Sequence, residues 1–279
     1  MRLSRADTIT SVVGLTIILI LVLTAILAPV IAPYDPTLGS LADRLKPPFW
    51  QPGGSTAHLL GTDVLGRDTL SRMIYGARTS LAVAAIAILV AGSIGSAAGI
   101  VAGYLGGWAD ILIMRTADLA FSFPTILLAM VLAVVFGASF QNIILVISLI
   151  LWAEYARMAR GETLKVKEMD FIALARVAGC SRVSIMWRHV LPNVASSLIV
   201  LATLQVGVVI ILEASLSFLG VGIPPPTPDW GGMVSEGRSY IVTAWWLSVV
   251  PGVAILATVL SFNLLGDALA ELFNPAGQK

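Results

Sequence analysis

From Thr79 to Gly103 the chain runs for roughly 25 residues with no charged side chain, and a helix of that length crosses the hydrocarbon of a bilayer. Five more apolar runs recur, at about 10–32, 113–136, 141–158, 194–219 and 244–266. Backbone amides in lipid must be satisfied internally, so only helices and closed barrels cross it. These runs are too long and too continuous for barrel strands. The expectation is an all-α membrane protein with six transmembrane helices. Composition agrees: 57% of residues are hydrophobic and 12% charged, about half the charged share of a soluble domain.

The first run follows Arg2 and Arg5, as in a secretion signal, and Ala28 offers a small residue for cleavage. The run is about 22 residues, longer than a signal's apolar core, so a retained anchor is expected. The third run carries Arg115, Asp118 and Pro124, which places its lipid-buried part later than its start. Six crossings put both termini on one side. With the termini inside, inner segments hold Arg2, Arg5, Arg115, Arg157, Arg160, Lys165, Lys167, Arg176, Arg182, Arg188 and Lys279, against Arg44, Lys46, Arg67, Arg72, Arg78 and Arg238 outside. This bias places both termini, and the segment at about 159–193, in the cytoplasm. Trp108, Trp230, Trp245 and Trp246 fall near the span ends and read as interface anchors.

Gly95, Gly99 and Gly103 stand four apart, so they line one face of the second span and admit a close helix. That helix belongs either to this chain or to a second subunit. A net charge of +1 argues against a nucleic-acid partner, and the single cysteine, Cys180, excludes an internal disulfide. There is no phosphate-cradling GxxxxGK motif, no HExxH, no cysteine cluster and no GxSxG elbow. His58 and His189 fall on opposite sides. The chain therefore reads as a transport subunit with no engine, cofactor or metal of its own, rather than an intramembrane enzyme. An ion-coupled secondary transporter would show inverted repeats with broken helices, and none is evident.

Such a subunit needs a surface for its engine. Between the fourth and fifth spans, Leu164, Phe171, Leu174, Ala175 and Ala178 recur at helical spacing up to Gly179, which sits as a helix C-terminus prefers. Ser181 is placed to cap a second short helix, and Pro192 to close it. The result is a helix–turn–helix knuckle too small to bury its own apolar faces. It packs on the bundle, on another protein, or on the lipid surface.

The knuckle resembles the EAA loop of ABC importer permeases, a Glu-Ala-Ala followed by spaced Gly and Ile-x-Leu-Pro. Gly179 and Leu191–Pro192 match, whereas Ala173, Leu174 and His189 stand where the pattern has Glu, Ala and Ile. "LGTDVLGRDTLSRMIYGARTSL" from Leu60, "EASLSFLGVGIPPPTPDWGGMVSEGRSYI" from Glu213, "SFNLLGDAL" from Ser261 and "APYDP" from Ala32 are similar to the C-type permease of dipeptide and oligopeptide ABC importers. The resemblance covers nearly the whole chain. The tail "AELFNPAGQK" departs from the family's charged end.

The resemblance implies a type I ABC importer permease in the bacterial inner membrane. Residues 1–78 would form an N-terminal helix and outer segment, and 79–279 the core. Its partners would be a second, related permease, two ATPase subunits that bind ATP and Mg, and an extracytoplasmic binding protein. The EAA knuckle would enter a groove on the ATPase, with Phe171, Ala173, Ala175, Arg176, Gly179, Arg182 and Pro192 as coupling residues. Di- or oligopeptides fit the resemblance best, while nickel chelates, glutathione and sugars are carried by relatives. The amphipathic stretch Asp68–Thr79 reads either as a contact for the binding protein or partner permease, or as a solvated interfacial helix. Pro224–Pro226 and Pro228 form either a landing site or a stiff spacer.

Ionisable groups inside spans usually face the bundle interior. Glu213 is the clearest, placed either for a structural hydrogen bond or along the substrate route. Gln205, Ser217 and Asn263 are further candidates for lining the pathway, with Ser215 beside them. Arg115–Asp118 and Glu154–Arg157 are each three apart and read as pairs that neutralise each other near the interface.

Overall fold

The computed structural model of the protein describes residues 5–273. Arg2 and Lys279, used above for orientation, lie outside them, as does the end of the divergent tail. Among the described residues the structure is helical, with two isolated β-bridges, Gly39–Arg67 and Thr62–Asp68. The order is α1 Arg5–Ile26, α2 Ala28–Ile31, α3 Thr69–Leu105, α4 Gly107–Phe121, α5 Thr125–Phe136, α6 Phe140–Lys167, α7 Asp170–Val177, α8 Arg182–Ile185, α9 Leu191–Phe218, α10 Trp230–Gly237 and α11 Trp246–Phe273.

Four helical stretches are long and apolar enough to cross a membrane: α3, α6, α8 through α9, and α11. A fifth is obtained by taking α4 and α5 together, but they meet at 93°. The third run is therefore not one straight span. Pro124 explains the break, because its ring disfavours helical backbone at Phe123 and it offers no amide hydrogen. The apolar stretch of α1, Val12–Ile26, is shorter.

α3 begins about ten residues earlier than the hydropathy pattern implies. The cause is local: Asp68 caps it, its Oδ2 accepting from Ser71 N and Ser71 Oγ at 2.8 Å each. The stretch Asp68–Thr79 is thus the first part of α3 and not a separate helix lying on the membrane. Its Arg72 is buried.

The glycine stripe packs within this chain. A Cβ on Gly95 would stand 2.2 Å from Trp152 O, and one on Gly99 2.2 Å from Ala156 O. Only glycine lets α3 lie this close to α6. Small buried residues of both helices, Ala84, Ala87, Ala91, Ala156 and Ala159, complete the seam. The outward faces carry bulk instead: Leu89, Ile94, Val134, Val135, Leu256 and Leu260 are exposed, as a lipid-facing surface requires.

Two tryptophans read as interface anchors are core residues. Trp230 and Trp246 are buried, donating from Nε1 to Met73 O at 3.1 Å and Thr62 O at 3.3 Å. Trp108 remains exposed at the start of α4.

Candidate coupling surface and polar centres

The knuckle is built by backbone chemistry that its sequence dictates. Gly179 adopts φ +79°, which costs a glycine little. Cys180 N then donates to Ala175 O at 3.1 Å, and Gly179 N to Arg176 O at 3.0 Å. This pairing satisfies the last carbonyls of α7 and turns the chain. Ser181 Oγ accepts from Ser184 N at 3.2 Å and starts α8.

Two features differ from the expectation. The segment 161–178 is not one helix, because α6 runs to Lys167 and α7 restarts at Asp170. That break resets the helical phase, so the buried face of α7 is Ile172 and Ala175, while Leu174, Val177 and Leu164 are exposed. Pro192 does not close the second helix either. A wide turn over Met186–Val190, with Leu191 N donating to Met186 O, absorbs the proline, and the helix continues into α9.

The residues expected to couple therefore divide. Phe171, Ala173, Arg176, Gly179, Arg182 and Pro192 are exposed, and Ala175 is buried against the bundle. Arg176 lies over the Tyr104 ring, 5.7 Å from its centroid, which ties the knuckle to the end of α3. Leu174, Val177, Val183 and Trp187, at 68%, 87%, 60% and 64% exposure, are the exposed large apolar side chains on either side of the turn. Val177 is the residue whose exposure periodicity alone failed to indicate.

Glu213 is buried in α9. It accepts from Ser80 Oγ of α3 at 3.2 Å and from Ser217 Oγ at 3.3 Å. Asp229 faces it from the start of α10, where its Oδ2 caps the helix through Gly232 N at 2.7 Å. Burial pushes the Asp229 carboxyl above its ordinary range, against the helix-capping bond that lowers it. Gln205 and Ser217 are also buried, and Asn263 is half-buried. Protein encloses Gln205, Glu213 and Ser217 of α9, and Glu213 joins α9 to α3 through Ser80. Asp229 escaped the sequence reading because its role depends on α10 folding back over α9.

A second polar centre sits at the N-terminal end of α3. Arg67 Nε meets Asp63 Oδ2 at 2.6 Å, and Arg72 also pairs with Asp63. Both arginines reach Glu236 of α10, Arg67 at 3.0 Å and Arg72 at 2.6 Å. His58 Nδ1 and Asp68 Oδ1 are 2.9 Å apart. Thus the stretch "GTDVLGRDTLSR" locks the irregular segment before α3 onto α10. Its partners are more than 160 residues away, which no local pattern reveals.

At the other end of the bundle, Arg160 grips Asp110 with two contacts, 2.5 and 2.7 Å. Arg157 Nη2 donates to Asp118 at 2.9 Å. The expected Glu154–Arg157 pair is absent among the described ion pairs, because Arg157 turns to α4. Arg115 reaches Asp118 at only 4.0 Å with both side chains exposed.

A family model described as the binding-protein-dependent transport system inner membrane component matches residues 95–277. Another, the N-terminal TM domain of oligopeptide transport permease C, matches residues 10–48. The chain is 40% identical over 265 residues to the dipeptide transport system permease protein DppC of Haemophilus influenzae, covering 95% of this chain and 90% of that one. It is 42% identical over 258 residues to the glutathione transport system permease protein GsiD of Pectobacterium atrosepticum, covering 92% and 84%. It is 40% identical over 273 residues to the probable D,D-dipeptide transport system permease protein DdpC of Escherichia coli, covering 98% and 89%. With both ends of the chain matched and its helical bundle as described, this protein belongs to the inner-membrane permeases of binding-protein-dependent ABC importers, in their dipeptide and oligopeptide C-type branch.

Proposed function

We propose that this chain forms half of the translocation pathway of a peptide importer, beside a second, related permease. α1, α3, the bent α4–α5 pair, α6, α8–α9 and α11 would make six crossings with both termini cytoplasmic. An extracytoplasmic binding protein would deliver a di- or oligopeptide. Two ATPase subunits, which bind ATP and Mg, would drive the cycle, and this chain would make or break no bond.

The observation that carries this reading is the set of exposed apolar side chains Leu174, Val177, Val183 and Trp187 flanking the Gly179 turn. Apolar groups this exposed on a charged end of the molecule call for a protein partner. An ATPase that closes on nucleotide would bind these groups differently in its two states, and that difference would shift the permease between outward- and inward-open forms. The relatives named for glutathione transport favour a second reading of the cargo, since glutathione is itself a small peptide. Family membership favours either of these over an ion-coupled secondary transporter.

The test is import of a labelled dipeptide, and of labelled glutathione, into vesicles holding both permeases and both ATPases. The proposal predicts uptake that needs the binding protein and ATP. Uptake without ATP, driven by an ion gradient, would remove it.

A further inference from the structure

The C-terminal half of α6 borders an open cavity of about 560 Å³. Phe121 at the α4–α5 bend and Leu201 of α9 give it apolar walls, and Glu154, Arg157, Glu162 and Lys165 of α6 face it with both signs of charge. Its volume is within the range of small-molecule sites, roughly 300–1,000 Å³.

The charges are unevenly served. Lys165 Nζ meets Glu162 Oε1 at 2.7 Å, and Arg157 meets Asp118 Oδ1 at 2.9 Å. The Arg157 guanidinium also lies 4.1 Å from the Phe121 ring centroid, which fixes it on the cavity wall. Glu154 is itself half-buried, makes no hydrogen bond or ion pair among the described residues, and has buried helix neighbours in Ala153, Tyr155 and Ala156. A half-buried carboxylate on a cavity wall, with no protein partner, is open to a cationic group that enters. A ligand bearing a carboxylate as well would find Arg157 about one turn along the same face of α6.

We propose that Glu154 receives the α-ammonium group of a zwitterionic peptide during passage, with Arg157 facing its carboxylate. This rests on the importer reading above and adds to it a place where this permease itself recognises cargo. Selectivity would then not lie with the binding protein alone.

The test uses the assembled complex carrying Cys180→Ser and Met158→Cys, which sets one thiol on the cavity wall. The rate of its alkylation is followed against dialanine and against N-acetyl-dialanine. Dialanine is expected to protect at about tenfold lower concentration than the acetylated peptide, since a charged hydrogen bond is at stake. Glu154→Gln should erase that difference, and Glu154→Asp should restore much of it. A purely structural role would shift both peptides together. Equal protection by the two peptides, a difference that survives Glu154→Gln, or no protection in a complex that imports dialanine would each overturn the proposal and leave the importer standing. An assembled complex that imports no dialanine removes the peptide reading, and this proposal with it.

Discussion

Asp110 and Arg160 face each other across α4 and α6 with a two-point contact, 2.5 Å from Nε and 2.7 Å from Nη2. Together with Arg157–Asp118 this bolts α4 to the helix that carries the knuckle. Both partners are partly exposed, so the pair contributes modestly, about 1 kcal/mol. Asp110→Asn should lower the melting temperature of the purified protein by a few degrees. Arg160→Lys, which loses the fork, should give most of the same loss, and the double variant little more. Additive losses would mean that the two residues act independently.

The α3–α6 seam makes a sharper prediction. Gly99→Val would drive its side chain into Ala156 O, a contact with no flexible atom to yield. Destabilisation by several kcal/mol is expected, read as loss of monodisperse protein in detergent. Gly92→Ala is the control, since its Cβ would stand 3.4 Å from the Tyr155 ring edge. That variant should be within about 0.5 kcal/mol of the parent or more stable, because alanine favours helix.

At Gly179 strain and space separate cleanly. An added Cβ would meet nothing within 4 Å, but the backbone has φ +79°. Gly179→Ala should therefore fold at a cost of about 1–2 kcal/mol, localised to the turn. Gly179→Pro removes the amide that bonds Arg176 O and forbids that φ, so the knuckle should open. Hydrogen exchange over residues 170–185 distinguishes them: protection retained in the first, lost in the second.

Much of the knuckle was legible because its determinants are local. A glycine past a helix and a serine ahead of one act through their own backbone, and the turn formed where Gly179 and Ser181 placed it. The face of α7 was not legible, because the break at Glu168–Met169 shifts the phase by an amount that hydropathy does not encode. The apolar runs marked the bundle, yet the start of α3 was missed, since a capped, charged, buried turn precedes its apolar part. Arg67 and Arg72 read only as outer-segment charges, and their partners Asp63 and Glu236 carry no local signal of that role. Their burial depends on α10 returning over the start of α3, a relation between distant segments.

That network predicts a costly single change. Arg72→Met leaves Asp63, which is buried, and Glu236, which is partly so, short of a partner; loss on the order of 3–5 kcal/mol is expected. Lys46→Ala removes only an exposed pair with Asp43 and should be silent in the same melting assay.

Cys180 is the chain's only cysteine, and it is exposed beside the turn. A membrane-impermeant maleimide should label the wild-type protein in inside-out vesicles and not in intact cells. Labelling from outside would reverse the proposed orientation.

The central claim is that the knuckle's exposed apolar side chains dock an ATPase, and co-purification tests it most directly. Tagged wild type should bring down an ATPase and a second permease from detergent. Val177→Asp, a change at an 87% exposed position that leaves the bundle core untouched, should keep the permease and lose the ATPase. A wild type that purifies alone, or a Val177→Asp chain that retains its ATPase in full, would contradict the account.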